Sequence, residues 1–140
     1  MASTMTAPAL EADALEQLRT EFRGEIVEPA DPAYDELRGV FNGMFDKRPR
    51  VILRAQGAGD VIRGIGLART SGLPLAIRSG GHSVAGFSSV DGGIVLDLRP
   101  MKGIRVDPTG KAVRAQRAAS TGASSTARRR RSAWPSPAAV

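Results

Sequence analysis

The chain has 140 residues, 41% hydrophobic but only 4% aromatic, with 16 glycines and 9 prolines, enough for one domain with a small aliphatic core and too few for two large ones. It has no cysteine and a single histidine, which excludes disulfides and thiolate metal ligands and argues against a zinc site built from its own side chains. The formal net charge of +6 invites a nucleic-acid partner, but five of the 20 Lys and Arg lie beyond Gln116, where there is no acid, so the basicity belongs to the tail.

No apolar run approaches the ~20 residues needed to cross a membrane. The start, "MASTMTAPALEADALEQL", has acids where an export signal needs a basic end and an apolar stretch. A soluble, cytoplasmic protein without a membrane partner is therefore expected. Residues 10–23 place Leu10, Ala14, Leu18 and Phe22 about four apart, which predicts a short amphipathic helix. Pro29 and Pro32 break the pattern. "DPAYDELRGVFNGMFDKRP" then resumes it, with Tyr34, Leu37, Phe41 and Phe45 at three- and four-residue steps, a stripe expected to pack into the core.

From Arg50 the texture changes. "RVILRA" reads as a strand, Gly57 to Asp60 can cap a helix over "DVIRGIGLARTSG" that stops at Gly72, and "PLAIR" reads as a second strand. Strand, helix, strand predicts two parallel neighbours joined by a right-handed crossover. Further on, "GGIVLDL" and "GIRVDPTGKAVRAQ" read as strands, the latter turning at Pro108-Thr109-Gly110. The fold class expected is α+β, with a glycine loop leaving the end of a strand.

That loop, "RSGGHSVAGFSS", holds the only histidine, His82. Successive glycines allow positive φ and let consecutive N–H groups converge on an anion. Ser79 and Ser83 add hydroxyls, and Arg78 adds a charge beside the concavity. Diphosphate is the natural ligand type, yet G-x-G-x-x-G is absent, no helix is expected after the loop, and there is no G-K-[ST]. On these residues alone two readings stand: an anion site, or a plain hairpin or bend with a histidine that orders it.

From about Pro29 to Gln116 the chain resembles the start of the PCMH-type FAD-binding domain of the vanillyl-alcohol oxidase superfamily, specifically the berberine-bridge-enzyme-like FAD-linked oxidases. The elements quoted above match in order and spacing. The resemblance implies that Ser79, Gly80, Gly81 and Ser83 cradle the FAD diphosphate, with Arg78 beside them, and that in an intact protein His82 is bonded to the methyl carbon at position 8 of the flavin ring. A neutral imidazole nitrogen is nucleophilic enough for that bond. Gly86 would let the chain turn close to the flavin. The resemblance also implies that the substrate domain and the catalytic base lie beyond this chain, so a small-molecule substrate is expected only for an intact relative. No catalytic residue is assigned.

The domain organisation that follows is a helical lead over 1–28, a partial FAD-binding domain over 29–116 and a disordered tail over 117–140. In the tail, "RAASTGASSTARRRRSAWPSPAAV" replaces the turn, Trp-Gly pair, helix and second glycine turn that the resemblance implies. Reading each codon from the third base of the printed one permits "GGVxWGELDRATQAFGLAVPGGG", which supplies them; the tail is therefore expected to be out of frame. Two alternatives are a small nucleic-acid-binding protein that uses Arg128 to Arg131, and a non-flavin nucleotide-binding module that uses the same loop. A specific nucleic-acid partner is not expected, because Trp134 is the only aromatic in the tail.

Overall fold

The computed structural model describes residues 10–116. Two compact units divide the chain, one ending at Pro100 and the other beginning at Met101. In the first, α1 (Ala12–Glu21) is the expected amphipathic helix, burying Leu15 and Leu18, with Phe22 buried at its C-cap. A strand that the sequence did not suggest, β1 (Glu25–Val27), follows and pairs antiparallel with β2 (Val51–Arg54). Three residues carry too little alternation to be read as a strand before their partner is known.

Helix α2 (Tyr34–Arg38) is much shorter than the aromatic stripe suggests. The chain leaves the helix at Gly39, φ −56° and ψ 139°, and the carbonyls of Leu37, Arg38 and Gly39 are taken by the Arg78 guanidinium. Tyr34 is buried and Leu37 packs beside it, but Phe41 is 82% exposed. The stripe is therefore core only in its first half.

Helix α3 (Ala58–Ser71) begins after Gly57 and stops at Gly72 in the left-handed region, φ 68°, as expected. Buried Asp60 near its start accepts the N–H groups of Gln56 at 2.9 Å and Arg23 at 3.0 Å, an acid in the first turn that satisfies free donors around it. The helix lies close on the sheet because Gly64 has no side chain: a Cβ there would come 3.0 Å from Leu96 Cδ1 and 3.3 Å from Leu53 Cδ1.

Strands β2 and β3 (Leu75–Arg78) are parallel but not neighbours. Between them lies β4 (Ile94–Asp97), giving the order β1-β2-β4-β3 with Ile52 and Ala76 both opposite Val95. The expectation of adjacency is corrected by burial. The most apolar strand, wholly buried along its length, takes the centre, and β3 is left at an edge with Ile77 53% exposed. On one face Ile52, Ala76 and Val95 pack with Val27 and Tyr34; on the other Leu53 and Leu96 meet α3. Burial on both faces explains why β2 and β4 read as unbroken apolar runs.

In the second unit, β5 (Ile104–Asp107) and β6 (Ala112–Ala115) form an antiparallel hairpin pairing Ile104 with Ala115 and Asp107 with Ala112. Its turn is the expected one: Asp107 Oδ1 accepts the N–H groups of Thr109 and Gly110, both at 3.0 Å. Among the described residues no helix is long and apolar enough to cross a membrane. The expected tail, 117–140, lies outside the described residues, as do residues 1–9 of the lead.

Candidate functional site: a glycine loop at the carboxyl end of a parallel strand

Because β3 and β4 are parallel, the segment between them cannot be a hairpin, and the reading of "RSGGHS" as a hairpin tip is removed. The chain leaves the carboxyl end of β3 at Ser79, loops without forming a helix, and returns to the start of β4 through Gly93. The carboxyl end of strands in an open parallel sheet is where ligands are commonly bound.

The loop's backbone is unusual in its donors. Among the described residues, no backbone N–H from Ser79 to Ala85 donates to a protein acceptor; the first that does is Gly86, to the Ser83 carbonyl at 3.1 Å. Gly81 sits at φ +73°, where L-residues with side chains are strained. A run of free N–H groups around such a residue is the geometry of an anion-binding concavity.

Side chains complete the picture. Ser79 and Gly80 are exposed, and Gly81 is buried. The exposed His82 imidazole folds back over Gly80, where a Cβ would stand 2.9 Å from Nδ1, and it meets the Phe41 ring edge-on at 5.3 Å and 89°. Ser83 Oγ accepts the Phe87 N–H at 3.1 Å and so closes the following turn while its hydroxyl proton remains available. Gly86 is buried at φ +70°, with the Phe45 ring 2.7 Å from where a Cβ would stand.

Arg78 lies underneath. Its side chain is 1% exposed, and its guanidinium is directed to Leu37 O at 2.6 Å, Gly39 O at 3.2 Å, Arg38 O at 3.3 Å and Asp97 Oδ2 at 3.4 Å. Gly81 rests on its stem, a Cβ there being 3.7 Å from Arg78 Cδ. Desolvation lowers the Arg78 pKa, and the Asp97 charge opposes that shift.

Asp97 is completely buried and was not singled out by the sequence. It accepts Arg99 Nη2 at 2.6 Å, Arg99 Nε at 2.9 Å and the Arg99 backbone N–H at 2.9 Å. Burial alone would raise its pKa; hydrogen bonds from Arg99 and the charges of Arg78 and Arg99 outweigh burial and hold the carboxyl below its usual range. In register, Arg54, Asp97 and Arg78 stand in one row across β2, β4 and β3. A charged residue closing each of three apolar runs was the sequence signal for this row.

A concavity of about 600 Å³ lies on the open face of the β5–β6 hairpin, lined by Arg105, Asp107, Pro108 and Arg114. A two-stranded face open to solvent encloses nothing, so the loop's donor geometry is the better guide to chemistry.

A profile of the FAD binding domain family matches residues 49–139. Over 92 residues the chain is 40% identical to (R)-6-hydroxynicotine oxidase of Paenarthrobacter nicotinovorans, covering 66% of this chain and 20% of that protein. Over 89 residues it is 36% identical to the FAD-linked oxidoreductase YgaK of Bacillus subtilis (strain 168), covering 64% of this chain and 20% of that one. The chain thus spans about a fifth of the length of these relatives. Its fold superposes on the crystal structure of 6-hydroxy-D-nicotine oxidase from Arthrobacter nicotinovorans with a TM-score of 0.65 at 35% identity, covering 79% of this chain and 22% of that one. The fold alone is shared with wild-type Phl p 4.0202, a glucose dehydrogenase, at a TM-score of 0.73 and 23% identity, over 84% of this chain and 26% of that one. By its profile match, its relatives and its sheet, the chain belongs to the FAD binding domain family.

Proposed function

We propose that this chain supplies the diphosphate-binding part of the FAD site of an oxidoreductase, with the backbone N–H groups of Ser79, Gly80, Gly81, His82 and Ser83 and the two serine hydroxyls as ligands. The supporting observation is the unbroken run of free donors from Ser79 to Ala85 around a left-handed glycine. Arg78 contributes by carrying Gly81 on its stem, and Gly86 by turning the chain against Phe45. His82, exposed beside the cradle, is the proposed attachment point for the flavin. When bound, FAD supplies the hydride-accepting chemistry, while the protein binds and orients it. Relatives named for the oxidation of 6-hydroxynicotine support a small-molecule substrate in a longer protein of this kind.

A cytoplasmic location and the lack of a specific nucleic-acid or membrane partner belong to the same proposal. So does the out-of-frame origin of residues 117–140, which sequencing the DNA beyond the Gln116 codon decides.

The attachment is tested by incubating wild type and His82→Ala with FAD and precipitating both in acid. Flavin should stay with the wild-type precipitate and wash from the variant. Flavin that washes equally from both would remove the covalent role of His82 and leave reversible binding standing.

A further inference from the structure

Residues 41–48, between α2 and β2, run beside the glycine loop in the same direction and touch it at successive points. Phe41 N–H donates to Gly81 O at 3.2 Å, and its ring meets His82. Asn42 Nδ2 donates to Val84 O at 3.4 Å. The Phe45 ring fills the space at Gly86. Lys47 Nζ donates to Gly86 O at 3.0 Å and Ser89 O at 3.2 Å, and it stands 5.5 Å from the centre of the Phe45 ring. Arg48 N–H donates to Asp91 Oδ1 at 2.7 Å, and its carbonyl accepts Gly92 N–H at 2.9 Å.

These contacts share one sense: the 41–47 segment presents donors, and the loop presents carbonyls. In a trans peptide the C=O of one residue and the N–H of the next point in opposite directions. Holding Gly81 O against Phe41 therefore turns the His82 N–H away from the segment, and holding Val84 O against Asn42 does the same for the Ala85 N–H. Lys47 shows the same use of a donor, since among the described residues its ammonium makes no ion pair and its hydrogen bonds go only to carbonyls.

We propose that residues 41–47 are a strap that gathers the loop's carbonyls on one side so that its N–H groups face the diphosphate on the other, with Asn42 and Lys47 as positioning residues and Phe41 orienting the His82 ring. The proposal rests on the cradle reading above. It also explains why the aromatic stripe keeps helical spacing beyond the helix: Phe41 and Phe45 serve the loop and not the core.

The test uses the full chain as wild type, Phe41→Leu, Asn42→Ala, Lys47→Met and Lys47→Arg. Amide exchange at Gly86, Phe87 and Ser89, whose N–H groups close the turn, should speed up about tenfold in Lys47→Met, the scale of one lost hydrogen bond, while Ile52 and Val95 in the sheet stay unchanged. Lys47→Arg, which can still donate to two carbonyls, should restore slow exchange. Pyrophosphate and FAD should bind Asn42→Ala and Lys47→Met about tenfold more weakly, again the scale of one hydrogen bond. Phe41→Leu should move the ring resonance of His82, which is unambiguous because the chain has one histidine. Unchanged turn exchange in Lys47→Met, or loosening shared equally by Ile52 and Val95, would overturn the strap. If wild type binds neither ligand, the cradle reading fails, and the exchange and His82 resonance still decide the strap.

Discussion

At Gly86 two demands coincide, a φ of +70° and an aromatic ring 2.7 Å from where a Cβ would stand. Gly86→Ala should cost about 1–3 kcal/mol in urea unfolding, and adding Phe45→Ala should recover only the part due to overlap, because the backbone strain remains. A double variant as stable as wild type would deny the strain. Asp97 carries a pH signature. Its folded pKa lies below the ordinary carboxylate value, so the stability it contributes is present above about pH 4 and is lost as pH falls through the folded value. Wild type should lose thermal stability steeply below about pH 4, and Asp97→Asn should titrate more flatly there. Near neutral pH the variant should be about 3–5 kcal/mol less stable, because the buried Arg78 cation keeps no carboxylate partner. Parallel profiles for the two proteins would contradict this. Ser79 to Ser83 stood out in the sequence as a candidate because paired glycines sit beside serines, but those residues alone left a plain bend equally open. The Arg78–Asp97 pair did not stand out, since only the strand register brings residues 19 apart into contact.

The elements were legible where a single chain segment decides them and illegible where a partner does. Helix α3 has its cap, its acid and its terminal glycine written locally, and it forms where they stand. Strand order is different: β2 and β3 flank a strand that comes later in the chain, and nothing between Arg50 and Arg78 announces the insertion. The length of α2 was misread for a related reason, since aromatic spacing continues past Arg38 to serve the loop. The central position of β4 predicts an asymmetry between core and edge. Leu96→Ala should destabilise by about 2–5 kcal/mol, and Ile77→Ala, more than half exposed on β3, by under about 1 kcal/mol. Equal losses in thermal unfolding would contradict the observed strand order.

On the scale of the molecule, the two units should differ in local stability. The first has a four-stranded sheet covered on both faces, whereas the second, among the described residues, is a two-stranded hairpin whose β6 is exposed along its length. Isolated hairpins are marginal in water. Amides of β2 and β4 should therefore exchange far more slowly than those of β5 and β6, and similar rates would contradict this. The net charge of +6 lies mostly in the five arginines beyond Gln116, whereas the unbonded donors of the glycine loop are uncharged backbone groups. Backbone donors can be located only once the fold shows which of them are left free. The most direct test is a titration of the full, nitrogen-15-labelled chain with inorganic pyrophosphate and with FAD, followed by amide resonances. The account predicts that both ligands shift Ser79, Gly80, Gly81, His82 and Ser83, with FAD reaching further residues. Shifts confined to the hairpin or to the arginines beyond Gln116, with the loop amides unmoved, would contradict it.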